Sequence, residues 1–104
     1  MLQERLLDPD ALVAAILQDD STGSVLMLAW MNRAALDATL STRRVTLWSR
    51  SRNELWVKGE SSGNFQEVVS MRYDCDGDAI LIRVKSHGPA CHTGATSCFH
   101  NEVE

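Results

Sequence analysis

Three cysteines lie in the last third of the chain, at Cys75, Cys91 and Cys98. Three thiols cannot all pair with one another, so a disulfide framework is not expected. In a reducing compartment, clustered thiols are more often metal ligands or catalytic groups. Soft thiolates suit zinc, and three protein ligands leave a fourth position for water, as in catalytic zinc sites. The cysteines predict a zinc site, and three buried free thiols are the simpler alternative.

A structural zinc site also stays open, because histidines could complete the ligand set. The spacing between the second and third cysteines is not that of a zinc ribbon, and the first cysteine is remote in sequence. A closed site would need a fourth ligand from His87, His92 or His100. His92 directly follows Cys91, where an imidazole can act as a general base, as a metal ligand or only as a loop residue that bonds the backbone.

Three aspartates, Asp74, Asp76 and Asp78, alternate along the chain. In an extended segment, alternate side chains share one face, so these carboxylates can converge. Like charges that close repel unless a cation neutralises them, and hard oxygen ligands favour Mg²⁺ or Ca²⁺. An EF-hand loop is excluded, because its sixth position would be Ala79 and its twelfth Lys85. The pattern predicts a magnesium site or, alternatively, a solvated acidic turn.

Half of the basic residues lie within sixteen positions of a chain whose net charge is −4. The acidic total argues against a nucleic-acid partner. Only Glu54 opposes the basic residues in this segment, which therefore carries +4. Such a patch on an acidic protein suits a small phosphorylated ligand, and a solvated strand face is the alternative. The basic residues of the segment are Arg43, Arg44, Arg50, Arg52 and Lys58.

The 104 residues are expected to form a single domain, 1–104, of the α+β class. Two short helices are predicted in the N-terminal half. The first begins at Asp8, which can cap, with Pro9 in its first turn and an apolar stripe that ends at Leu17. The second follows the capping residue Asn32 and carries an apolar face that ends at Leu40.

The remaining segments are predicted as mainly antiparallel strands. Period-two alternation places Val69 and Met71 on one face of the fourth strand, and Ile80, Ile82 and Val84 on one face of the fifth. Polar chemistry falls in the turns, where a rigid scaffold usually displays it. The predicted strands are 24–31, 44–49, 55–60, 65–73 and 79–86.

The N-terminal sequence lacks the basic region and the apolar run of a signal peptide. The longest apolar stretches fall far short of the ~20 residues that a membrane helix needs. We therefore expect a cytoplasmic protein that has no membrane partner.

Five segments, in this order, resemble the phosphoribosyl-AMP cyclohydrolase family. They cover nearly the whole chain, and motifs of this length in this order are highly specific. Because the chain ends soon after Phe99, it resembles the monofunctional form rather than the form fused to a pyrophosphohydrolase domain. The segments are VLMLAWMN at 25–32, WSRSR at 48–52, LWVKGESSGN at 55–64, DCDGD at 74–78 and GPACHTGATSCF at 88–99.

The resemblance implies an intertwined homodimer in which Cys75 of one subunit joins Cys91 and Cys98 of the other on Zn²⁺. It implies hydrolysis of phosphoribosyl-AMP between N1 and C6 of the purine by a zinc-activated water, a step of histidine biosynthesis. The phosphoribosyl group on N1 makes C6 electrophilic. We expect His92 to transfer the proton.

The resemblance also assigns roles to the acidic and basic clusters. Asp74, Asp76 and Asp78 are carried over as Mg²⁺ ligands that bind or orient the phosphorylated substrate. For the basic segment, the resemblance favours a patch that binds the phosphorylated substrate over a solvated strand face. The expected substrate-binding residues are Arg50, Arg52 and Lys58.

Overall fold

The computed structural model describes residues 8–104, which form six strands and one helix. The strands make one mixed sheet in the order β4-β3-β2-β1-β6-β5. Neighbouring strands are antiparallel except for β1 and β6, which are parallel. The elements are β1 (Val13–Asp19), β2 (Val25–Met31), α1 (Arg33–Thr42), β3 (Thr46–Ser49), β4 (Glu54–Val57), β5 (Gln66–Tyr73) and β6 (Ala79–Ser86).

The sheet curls back on itself, because the chain just before β3 pairs with the start of β5. Val45 donates its backbone N–H to the Gln66 carbonyl at 3.0 Å, and Val68 donates to the Arg43 carbonyl at 2.8 Å. These bonds satisfy backbone groups that a flat sheet would leave unpaired at its edge. The apolar core is formed by buried residues of β1, β2, β3, β5, β6 and the helix.

The predicted first helix is wrong where the structure has β1. Asp8 accepts a hydrogen bond from the Asp10 N–H at 2.9 Å in a turn, and the chain is extended from Val13 onwards. Alternate residues from Val13 to Leu17 are fully buried, and the residues between them are half-buried. β1 lies between β2 and β6, so both of its edges are paired, and its second face is also partly covered. An apolar run without polar alternation fits a helix stripe and a central strand equally well.

The predicted second helix is confirmed as α1. The Asn32 side chain caps it by accepting the Ala35 N–H at 2.9 Å, and it ends before Arg43, which has a left-handed φ of 62°. The Thr39 hydroxyl accepts the Thr46 N–H at 2.9 Å, which ties the helix to the start of β3. In the described part of the chain, no helix is long and apolar enough to span a membrane.

The predicted strands are confirmed with small changes of bounds, and the buried face of β6 is as expected. The predicted face of β5 is wrong at Val69, which is exposed, whereas Val68 is buried. A bulge after Val68 breaks the alternation, so that Val68 pairs with Val84 and Met71 with Ile82. Met71 therefore packs against the core as expected, although the alternation changes phase within the strand.

The β5–β6 hairpin separates the two clusters of candidate ligands. β6 begins at Ala79, directly after the turn that holds Cys75, and ends at Ser86, before the loop of the other two cysteines. Eight extended residues span ~25 Å. That loop then crosses the start of β2, where Cys98 donates its N–H to the Leu26 carbonyl at 2.7 Å. Since β2 starts at the Ser86 end of the sheet, the two clusters lie at opposite ends.

Candidate active site

Two of the three cysteines lie side by side in the loop after β6. Cys91 is buried and Cys98 is half-buried. The Cys91 sulfur accepts the Thr93 hydroxyl at 3.0 Å and lies 3.7 Å from Nε2 of His100. The bonds from Thr93 and then His100 lower the pKa of Cys91 to about 6, whereas burial and the adjacent Cys91 raise the pKa of Cys98. The pair thus offers two adjacent soft sulfur ligands.

A cleft of about 560 Å³ opens beside this pair, between the end of β4 and the loop of the thiols. Its volume is in the range of roughly 300–1,000 Å³ that small-molecule sites occupy. The Lys58 ammonium lies 5.5 Å from the centre of the Trp56 ring, so positive charge and an aromatic face share one wall. The charged, aromatic and thiol side chains that line the cleft include Arg52, Glu54, Trp56, Lys58, Glu60, Cys91 and His92.

Three predicted site residues from distant parts of the sequence therefore converge with a thiol. Arg52 and Lys58 approach from the β4 side and His92 from the thiol loop, where its side chain is exposed. Sequence reasoning did not predict Thr93 as a partner of the Cys91 sulfur. The local signal is a hydroxyl residue two positions after a cysteine, in a glycine-containing turn.

Arg50 does not line this cleft. It lies in a neighbouring depression, where its guanidinium stacks 4.6 Å from the Trp30 ring centre beside Trp48. Arg52 and Trp56 line both hollows and connect them. Of the predicted phosphate-binding set, Lys58 therefore lines the cleft, Arg50 lines the depression and Arg52 lines both.

Close packing around Asn64 fixes the wall of the cleft. Gly59 has a φ of +83°, and a Cβ atom built there would overlap the Asn64 main-chain carbonyl. A Cβ atom on Gly88 would overlap the Asn64 side chain. These two positions need glycine because they combine a positive φ with a close approach of another residue. Asn64 thereby locks the loop after β4 to the segment that leads to the thiols.

Gly59→Ala is expected to destabilise the protein more than Gly63→Ala does. The free energy of unfolding of the Gly59→Ala variant should be lower than that of the Gly63→Ala variant by about 1–3 kcal/mol. The two glycines have nearly the same φ, +83° and +79°, but a Cβ atom on Gly63 would meet nothing within 4 Å. The backbone strain is therefore matched, and the difference reports the overlap with Asn64. Chemical denaturation of both variants measures it, and equal stabilities would mean that the contact with Asn64 relaxes freely.

The three aspartates converge in the turn between β5 and β6, as predicted. Their carboxylate oxygens lie within 4.8 Å of one another, and all three residues are exposed. Partial desolvation raises the pKa of Asp74, but hydrogen bonds from Asp78 and then Ala79 outweigh it and leave that pKa below its ordinary value. Hydrogen bonds to Asp74 and then Asp76 raise the pKa of Asp78. Such a set of hard oxygen donors fits Mg²⁺ or Ca²⁺.

One chain does not bring the three cysteines together. Cys75 is exposed on the acidic turn, and Cys91 and Cys98 lie at the other end of the β5–β6 hairpin. Within residues 8–104, the aspartates are the only group of three or more potential ligands that lies close enough to hold one ion. A site with all three thiolates would therefore need a second chain.

Comparison with known proteins identifies the family. The family model described as phosphoribosyl-AMP cyclohydrolase matches residues 27–100. Proteins of that name from Hyphomonas neptunium and Chloroherpeton thalassium are 58% and 57% identical over 97 residues, covering 93% of this chain and 74% and 69% of theirs. The one from Corynebacterium glutamicum is 57% identical over 103 residues, covering 98% of this chain and 87% of its own.

These likenesses, together with a cleft that unites a thiol, an imidazole and two cations, define an enzyme. The chain belongs to the phosphoribosyl-AMP cyclohydrolase family. The resemblance seen in the sequence is thus confirmed.

Proposed function

We propose that this enzyme hydrolyses phosphoribosyl-AMP, opening the purine ring between N1 and C6 to give the phosphoribosylformimino-AICAR-phosphate intermediate of histidine biosynthesis. The observation that carries the proposal is the single cleft into which Cys91, His92 and two basic residues converge. The names of the relatives supply the substrate. The geometry supplies a place for each requirement of the reaction: a metal ligand, a proton carrier and phosphate-binding groups.

Zinc fits the donor set at this cleft, because a buried thiol with a lowered pKa adjoins a second sulfur. We assign Cys91 and Cys98 of one chain as ligands, with Cys75 of the partner subunit as the third. Zinc bound there would lower the pKa of a water ligand to about 7 and so supply a nucleophile at neutral pH. The ~25 Å between the ends of the hairpin supports a ligand from the second chain.

His92 is assigned the proton transfer. Its imidazole is exposed at the cleft and follows the proposed ligand Cys91 in the chain, so it would lie close to a water activated there. An imidazole takes up and releases protons near neutral pH. It can remove the proton from the attacking water and return it to N1 as the ring bond breaks.

Arg52 and Lys58 are assigned to phosphate binding in the cleft, with Trp56 as the aromatic wall beside them. The substrate carries two phosphoribosyl groups at separate positions of the purine, so it needs two anion-binding regions. Arg50, in the adjoining depression, is positioned for the second region. The +4 charge of this segment complements the substrate on a protein that is acidic overall.

Mg²⁺ is assigned to Asp74, Asp76 and Asp78. Cys75 lies between the first two of these aspartates, so a dimer that brings Cys75 to its partner's thiols also brings the carboxylates there. The aspartates of one chain would then face the cleft of the other. Mg²⁺ held on them would orient the substrate phosphates next to the basic residues.

Purified protein supplied with Zn²⁺ and Mg²⁺ is expected to open the ring of phosphoribosyl-AMP and to leave AMP unchanged. AMP lacks the N1 substituent that makes C6 electrophilic, and it carries only one of the two phosphates. Mass spectrometry of the products distinguishes the addition of one water from deamination. If AMP were turned over at the same rate, the substrate assignment would be wrong.

Asp76→Asn is expected to raise the Mg²⁺ concentration needed for half-maximal activity by about tenfold or more, because it removes a charged oxygen ligand. Zinc content should stay near wild type, since the hard and soft sites use different donors. Asp37→Asn is the matched control, because Asp37 pairs with Arg33 on α1 and lies outside both clusters. If zinc content fell together with the response to magnesium, the assignment of two separate sites would fail.

A further inference from the structure

The Cys91 sulfur is contacted by two polar side chains that the proposed reaction leaves without a role. The Thr93 hydroxyl donates to it at 3.0 Å, and Nε2 of His100 lies 3.7 Å away. In the tautomer that carries its proton on Nε2, His100 is the second donor. Two donors to one sulfur constrain the direction of its remaining lone pairs.

The backbone of the loop holds Thr93 in this position. Cys91 donates its N–H to the Ala95 carbonyl at 3.2 Å, and Gly94 donates to the Cys91 carbonyl at 3.0 Å. The Thr93 hydroxyl oxygen also accepts the Ala95 N–H at 3.4 Å. The hydroxyl oxygen therefore accepts a hydrogen bond from Ala95, and the hydroxyl hydrogen is donated to the Cys91 sulfur.

His100 is anchored from the other side, through the start of β2. Cys98 donates its N–H to the Leu26 carbonyl at 2.7 Å, and the Ser97 hydroxyl donates to the Val25 carbonyl at 2.7 Å. These bonds fix the segment that leads to His100 against the sheet.

We propose that Thr93 and His100 are positioning residues that hold the Cys91 thiolate in the orientation in which it captures zinc. Cys91 is then the preformed ligand, and Cys98 and the partner's Cys75 complete the site after it. This inference rests on the zinc site of the proposed function. It predicts that both residues set metal affinity without binding the metal, as groups that support metal ligands do.

Thr93→Val tests this role, because valine keeps the shape of threonine and removes the donor. Zinc affinity, measured by competition with a chromophoric chelator, should fall by about 10- to 100-fold. Thr93→Ser keeps the hydroxyl and should restore affinity to near wild type. Thr96→Val removes the same kind of group from an exposed residue of the same loop and should have little effect. Without metal, the wild type and these three variants should have the same free energy of unfolding.

His100→Leu should weaken zinc binding by about tenfold, at the lower end of that range, because its contact with sulfur is longer. His100→Gln keeps an N–H donor and should recover part of the loss. Cobalt substitution provides the independent readout. The thiolate-to-cobalt absorption should keep its intensity in every variant, since the number of sulfur ligands does not change.

The outcomes separate this inference from the proposed function. If the wild-type chain took up no zinc, the metal site itself would be wrong. If it bound zinc and Thr93→Val and His100→Leu bound it equally well, the positioning role would be overturned and the site would stand. A change in the ligand-field bands of the cobalt protein on His100→Leu would make His100 a ligand, which also overturns its assignment as a positioning residue.

Discussion

A mixed dimer of one Cys75→Ser chain and one Cys91→Ala chain is expected to recover about half of wild-type activity, although each mutant homodimer is inactive. A dimer with two-fold symmetry, as proposed, would have two identical sites, each with Cys75 from one chain and Cys91 with Cys98 from the other. In the mixed dimer, one site collects both substitutions and the other collects neither. The structural reason is that Cys75 and Cys91 lie at opposite ends of the β5–β6 hairpin.

The reciprocal dimer is the control. A wild-type chain paired with a chain that carries both substitutions has one lesion in each shared site, so it should be inactive. If all ligands came from one chain, the results would be reversed: the first dimer would be inactive and the second would keep half the activity. Different affinity tags on the two chains allow each mixed dimer to be purified, and its activity and zinc content are then measured.

His92→Ala is expected to lower turnover by about 10²- to 10⁴-fold, the usual contribution of a positioned proton carrier. Zinc should remain bound, because the three thiolates are unchanged. The substitution removes an exposed side chain at the cleft, so the fold should be unaffected. Steady-state kinetics and metal analysis of the same preparation are the two measurements.

His87→Ala is the matched control for this variant. His87 is also an exposed histidine near the end of β6, but its Nε2 lies 3.3 Å from the Glu67 carboxylate, on β5. Its turnover should stay near wild type. Loss of zinc together with activity in His92→Ala would make His92 a ligand, and unchanged turnover would make it a structural loop residue.

Local chemical patterns predicted much of the site. The predicted convergence of the alternating aspartates is confirmed, since the turn places their carboxylate oxygens within 4.8 Å of one another. The N-terminal cap of α1 was also predicted, since the Asn32 side chain accepts the Ala35 N–H. These features depend on residues a few positions apart, so they can be predicted from the sequence.

Features set by the whole sheet were not predictable in the same way. The helix predicted at β1 is wrong because the residues on both faces of this central strand are apolar as far as Leu17, so the sequence shows no polar alternation. The bulge after Val68 shifts the alternation of β5 by one residue, and no residue type marks it. Arg50 and Arg52 are two positions apart, but only Arg52 also reaches the cleft, because the chain turns at the end of β3.

The convergence of Lys58 and His92 also depends on the folded structure, since 34 positions separate them in the sequence. The curled sheet brings the end of β4 next to the loop after β6, and Asn64 fixes that contact through two glycines. The resemblance to the family identified the site residues, but it did not show how they are arranged in space. The division of the thiols between the two ends of a hairpin likewise required the structure.

The central claim is that zinc at the shared thiolate site drives hydrolysis of phosphoribosyl-AMP. The most direct measurement is the change in ultraviolet absorbance on adding this substrate to metal-free protein in the presence of Mg²⁺, before and after Zn²⁺ is added back. We predict no change without zinc, and full activity once one zinc per chain is bound. Equal turnover by the metal-free protein would contradict the account.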